Sequence, residues 1–145
     1  MQNPAQQACY MKIAGWMDEL FGDIAWEQQG DNGFRLFMGS AWVEVLIMPF
    51  QNDAVIHVRS TVVDGVEASS SLQAFLLHKN AELLFGGFAI DPSGNILFRH
   101  SIVGSTCDPI ELKTSVENVL ATADLYDDRI VDLWGGQRAL DRPTT

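Results

Sequence analysis

Residues 71–104 read SLQAFLLHKNAELLFGGFAIDPSGNILFRHSIVG, and this stretch decides the fold. Its first part predicts a helix over 72–85, with an apolar arc of about 180° where an ordinary surface helix needs little more than 100°. Gly86 and Gly87 end that helix. The sequence DPSG at 91–94 then predicts a tight turn, because Pro fixes φ and Gly accepts a positive φ. The turn joins two arms with alternating apolar residues, so a β-hairpin follows the helix.

Two further helices are predicted on either side of this stretch. The first runs near 5–22, begins at the capping residue Asn3 followed by Pro4, and carries a wide apolar stripe. The other runs near 108–134, with Asp108 as its cap, Pro109 in its first turn and Glu111 at the capping-box position. At about 26 residues, this last helix is roughly 39 Å long.

Strands are predicted between the first two helices, at 34–38, 41–48 and 54–63, with a short one possible at 24–28. The middle strand is apolar on both sides. Its side chains alternate between two sides: Val43, Val45 and Ile47 on one, and Trp42, Leu46 and Met48 on the other. Glu44 is the only polar residue on the second side. Either the first or last helix or a partner protein must therefore cover that side.

These elements predict one α+β domain over 1–145, with a core of about 5–136 and a loose tail at 137–145. The predicted order is α-β-β-β-α-β-β-α, with three main helices near 5–22, 71–85 and 108–134. The strands form an antiparallel sheet of five or six, because short turns join them as in a meander.

The composition narrows the class of partner. The chain has 145 residues, of which 47% are hydrophobic and 19% charged, and its net charge is −10. This charge argues against nucleic acid and anionic membranes and favours a basic or largely apolar partner. The sequence has neither a signal-peptide pattern nor an apolar run of about 18 residues. We therefore expect a cytoplasmic protein that does not insert into membranes.

The residues that could perform chemistry do not form a recognisable site. His57, His78 and His100 lack metal-ligand spacing, so no metal is expected. Cys9 falls on a buried arc, and Cys107 precedes a helix, where its pKa could be somewhat lowered. Two cysteines this far apart are expected to be free thiols in a reducing compartment. No catalytic residue and no cofactor are predicted.

The last helix carries a cluster of acidic residues. Three of them fall on its polar side and are expected to be solvated: Asp124, Asp128 and Asp132. Asp127 falls among apolar positions instead, so it needs a hydrogen-bonding partner if it is buried. An EF-hand is not predicted, because its ligands would lie in a loop.

Three segments carry a resemblance to a known family: LLHKNAELLFGGFAIDPSGNILFRHSIVG at 76–104, ATADLYDDRIVDLWGG at 121–136 and, more weakly, GSAWVEVLIMPF at 39–50. The chain resembles the type III secretion chaperone-like (Tir chaperone-like) fold, and within it the YbjN-type bacterial proteins. The resemblance implies helices on a twisted antiparallel sheet, a tendency to dimerise, and a non-enzymatic role in binding other proteins.

These observations predict a chaperone-like module that holds a segment of another protein. The predicted contact residues are Phe37, Trp42, Leu46 and Met48, since aromatic and Met side chains suit adaptable interfaces. A homodimer is also expected, because the apolar arc of helix 72–85 exceeds what one sheet covers; its predicted interface residues are Leu77, Ala81 and Leu84. The alternative is a sensory domain that holds a small ligand in a closed apolar pocket between sheet and helices.

Overall fold

A computed structural model describes residues 3–138 as three helices and one antiparallel sheet. The helices are α1 (Pro4–Phe21), α2 (Ser70–Glu82) and α3 (Pro109–Trp134). The strands are β1 (Ala25–Gln29), β2 (Gly33–Met38), β3 (Ala41–Phe50), β4 (Asp53–Asp64), β5 (Gly87–Ile90), β6 (Ile96–Val103) and β7 (Gln137–Arg138). The predicted α+β class and antiparallel sheet are confirmed.

The sheet contains two strands beyond the predicted order. Its strand order is β1-β2-β3-β4-β6-β5, and β7 pairs with β4. Strand β1 is the short strand that the sequence left open. Strand β7 falls in the expected loose tail, yet Gln137 pairs with Asp64 and Arg138 with Val63. The rest of that tail, 139–145, lies outside the described residues.

The ends of α1 and α3 follow the predicted chemistry. The Asn3 side chain accepts a hydrogen bond from the Gln6 backbone N–H at 2.6 Å, and the Asp108 carboxylate accepts one from the Glu111 N–H at 2.7 Å. Each bond satisfies one of the amides that a helix start leaves unpaired. Gly135 ends α3 with φ +85°, a conformation that favours glycine.

Helix α2 is shorter than predicted. It ends at Glu82 rather than at residue 85, and Leu83 is already extended. The chain leaves the helix here because Leu83 packs against the core. Leu84, predicted on the helix, instead lies beyond it and is 92% exposed.

The sheet has two unlike faces. Val43, Val45 and Ile47 of β3 have no exposed surface and belong to the same core cluster as the buried side chains of α1 and α3. We call this side the core face. Helix α2 lies beside the edge strand β5. Within residues 3–138, the helices thus contact the core face or the β5 edge, and none covers the opposite face.

Candidate functional site

The face without a helix, called here the open face, carries a mixture of apolar and cationic side chains. Strand alternation and register place there Phe37, Trp42, Leu46, Met48, Val55, His57, Arg59, Leu97, Arg99 and Val103. The predicted contact residues Phe37, Trp42, Leu46 and Met48 therefore share one surface. None of these four belongs to the core cluster.

Phe37 and Trp42 form one end of this surface. They face each other across β2 and β3, and both are half-buried. The guanidinium of Arg35 lies 4.4 Å from the centre of the Trp42 ring. This cation–π contact holds the indole against the sheet, so a broad aromatic surface is already positioned without a partner.

Leu46 and Met48 continue the surface along β3. Leu46 pairs with Gly33, and a Cβ at Gly33 would lie 2.7 Å from Leu46 Cδ2. Glycine at this position therefore lets the leucine side chain lie flat on the neighbouring strand. Met48 is 38% exposed and pairs with Val55, which in turn pairs with Val103, itself 51% exposed. This end of the open face is apolar and accessible.

A row of charges crosses the middle of the open face, strand by strand. The register aligns Glu27, Arg35, Glu44, Arg59 and Arg99. Arg35 lies 3.9 Å from Glu27, and Arg59 lies 3.4 Å from Glu44. The next position in the row is Gly87, so Arg99 faces no acidic neighbour there. Among the described residues, no acid forms a salt bridge with it.

A shallow cavity of about 120 Å³ lies at this end of the row. It is lined by His57, Arg59, Leu97 and Arg99. Partial burial lowers the pKa of His57, and the positive charges of Arg99 and Arg59 lower it further. His57 Nδ1 also lies 3.0 Å from the Ser101 hydroxyl. The cavity thus combines two permanent cations with an imidazole whose positive form is disfavoured.

The predicted dimer residues lie elsewhere, around α2. Leu77 is 69% exposed, Ala81 is exposed, and Leu84 follows the helix. Leu77 lines a groove of about 240 Å³ between α2 and β5. Only Leu72 and Leu76 of α2 are buried, so much of its wide apolar arc faces solvent.

Asn80 has a structural role that its sequence context does not predict. Its side chain donates to the Phe88 carbonyl at 3.2 Å and accepts from the Phe88 N–H at 2.7 Å. The amide thus occupies the backbone groups of the edge strand β5 as a neighbouring strand would. The only sign of this role in the sequence was that Asn80 is a single polar residue within an apolar arc. The opposite end of the sheet, β1, has no such side chain bound to its backbone among the described hydrogen bonds.

The three histidines lie apart. His57 is on the open face, His78 is exposed on α2, and His100 is on the core face with its Nδ1 2.8 Å from the Ser115 hydroxyl. In the part of the chain that the structure describes, no three His, Cys, Asp or Glu side chains gather as metal ligands.

The cysteines are both buried and free. The lowered pKa considered for Cys107 is wrong: burial, and then the charge of Glu111, raise it to about 12. Burial also raises the pKa of Cys9. Neither thiol is set up as a nucleophile, because the thiolate is the reactive form.

The acidic cluster on α3 is organised by Ser40. Its hydroxyl lies 2.6 Å from Asp124 Oδ1 and 2.5 Å from Asp127 Oδ2, and its N–H donates to Asp124. Asp124 is exposed, as predicted, and also hydrogen-bonded, while Asp127 is 1% exposed and has in Ser40 the partner that a buried carboxyl needs. Burial raises the pKa of Asp127. One hydroxyl proton cannot serve two carboxylates, so both contacts are satisfied when Asp127 is protonated and donates to Ser40.

A family model matches residues 11–142, nearly the whole chain. The family is described as T3SS (YopN, CesT) and YbjN peptide-binding chaperone 1. The chain belongs to this family. A search of the curated proteins finds no match.

Membership in the peptide-binding chaperone family confirms the predicted relationship to type III secretion chaperones and YbjN-type proteins. The observed helices and antiparallel sheet fit that fold. No helix within residues 3–138 is both long and apolar enough to cross a membrane.

Proposed function

We propose that this peptide-binding chaperone holds an extended segment of another protein against the open face of its sheet, without catalysis. One observation carries the proposal: Phe37 with Trp42, and Leu46 with Met48, form two partly exposed apolar patches on either side of the charged row, on a face that no helix of the described chain covers. Apolar side chains presented from rigid strands bind a partner with little loss of conformational freedom. The proposed location is the cytoplasm, where both cysteines would remain reduced.

The backbone of the partner segment has a defined place to pair. Strand β1 ends the sheet next to the Phe37 side of the open face, whereas the Asn80 amide blocks β5 at Phe88. A second stretch of the partner that adds to β1 would gain backbone hydrogen bonds there. Its side chains would lie beside those of β1, because Phe37 and Trp42 are one and two strands further into the sheet.

A small-ligand sensor is not favoured by the packing between sheet and helices. The side chains that meet there have no exposed surface; they include Ile13, Met17, Val45, Ile56, Val116 and Leu120. A closed ligand pocket would need space that these side chains fill.

The test is peptide capture by matched variants. Met48→Ala removes a side chain from the open face, and Met11→Ala removes the same side chain from α1, where it is 59% exposed. Bound peptides, or partners captured from the native host, should be lost with Met48→Ala and Trp42→Ala and retained with Met11→Ala. Equal capture by all three folded variants would refute the proposal.

A homodimer is proposed as the working assembly, through exposed Leu77, Ala81 and Leu84 near α2. This region lies at the β5 end of the sheet, so a dimer leaves the surface around Trp42 accessible. Light scattering should show a dimer for the wild type and a monomer for Leu77→Asp. The control is Leu133→Asp on α3, whose leucine is 67% exposed. A monomeric wild type at micromolar concentration rules the dimer out.

A further inference from the structure

The charge of the open face differs from the charge of the whole chain. The chain carries −10, but the row across the open face contains three arginines and two glutamates. The two glutamates already have partners, since Glu27 pairs with Arg35 and Glu44 with Arg59. The positive charge that remains belongs to Arg99. At physiological salt, charges more than about 8 Å away are largely screened, so a bound group senses this row more than the net charge.

From this we propose that the segment held on the open face carries an acidic side chain whose carboxylate binds between Arg59 and Arg99. The inference rests on the proposed function and names the chemistry of the partner. An arginine fork matches a carboxylate with two parallel hydrogen bonds, and Arg99 is exposed and free to make them.

The cavity beside the two arginines has a suitable size. Its volume of about 120 Å³ is enough for a carboxylate and the adjoining methylene. Burial and the charges of Arg99 and Arg59 lower the pKa of His57, which disfavours its positive form. Its imidazole is a hydrogen-bonding group beside the carboxylate site.

The surroundings specify the residues that flank the acid. Leu97 lines the cavity, and Leu46 pairs with His57 on the neighbouring strand. Side chains of an extended segment alternate, so residues two positions from the acid would point to the same face and meet these leucines. The preferred partner is therefore an extended segment in which an acidic residue lies between apolar ones, rather than the basic segment that the net charge alone favours.

The experiment uses three sets of short fluorescent peptides that share the same apolar residues. The position between the apolar residues is Glu in one set, Gln in the second and Lys in the third. Affinities are measured by anisotropy at about 0.15 M salt. For the wild type, the Glu peptides should bind about tenfold more tightly than the Gln peptides, the effect of one charge-assisted pair. Arg99→Gln should abolish this preference.

Lys113→Gln is the matched control, because it removes one positive charge from an exposed position on α3. It should keep the preference for Glu, and Arg99→Lys should keep part of it. Equal binding of the Glu and Gln peptides, or tightest binding of the Lys peptides, overturns the acidic preference and leaves the proposed function standing. If none of the three sets binds, the proposed function fails with it.

Discussion

Two adjacent residues of β3 allow the two-faced sheet to be tested by substitution. Ile47 is fully buried on the core face, whereas Leu46 is half-buried on the open face, where it lies over Gly33. Ile47→Ala leaves a cavity in the core and should cost about 2–5 kcal/mol of unfolding free energy. Leu46→Ala loses only part of the burial of one leucine, so we expect about 1 kcal/mol.

The two variants should also separate stability from binding. In a domain of this size, 1 kcal/mol lowers the melting temperature by about 3–4 °C, so Leu46→Ala should melt a few degrees below the wild type and Ile47→Ala far below it. Calorimetry measures the melting temperatures, and anisotropy with an apolar peptide measures the binding affinities. Leu46→Ala should bind peptide more weakly although it is folded, while folded Ile47→Ala should bind as the wild type does. Equal destabilisation by the two substitutions would refute the assignment of the faces.

Three other substitutions test particular contacts. Asn80→Ala removes two hydrogen bonds to the β5 backbone and should cost about 1–3 kcal/mol in urea unfolding; an unchanged midpoint contradicts that role. The pKa of Asp127 is raised, so its contribution to stability is present below the ordinary carboxyl pKa and is lost as pH rises through the folded value. Asp127→Asn can still donate to Ser40. Its free energy of unfolding should therefore rise relative to that of the wild type as the pH increases from 4 to 7; a constant difference between the two would contradict this. Gly33→Ala places a Cβ against Leu46 and 2.8 Å from the Val45 carbonyl, so it should lower the melting temperature and weaken peptide binding; an unchanged melting temperature and affinity would contradict this close contact.

Local sequence signals predicted the three helices, most of the strands and the alternation along β3. The cap at Asp108 and the alternation along β3 act over a few residues, and both appear in the structure as predicted. The relationship to the secretion chaperones was also visible from the sequence. The sequence did not show what covers each face of the sheet. Alternation shows that Trp42 and Val43 point to opposite sides, but it does not show on which side the helices pack.

The features that the sequence did not predict depend on long-range register. Arg99 lacks an acidic neighbour because β6 pairs with β4 on one side and because Gly87 lies opposite on the other. The Asn80 amide meets β5 only because α2 packs beside that strand. The end of α2 is a tertiary effect as well, since the chain turns where Leu83 can reach the core. Helix propensity alone would have continued it to residue 85.

The central claim, that the open face binds peptide, can be measured directly by methyl NMR. On titration with an apolar peptide, the methyl signals of Leu46, Met48 and Val55 should shift, while those of Ile47 on the core face and Leu133 on α3 should change little. This result would place the peptide on the open face of the sheet. Shifts confined to methyl groups of α2 or α3, with the open-face signals unchanged, would contradict the account.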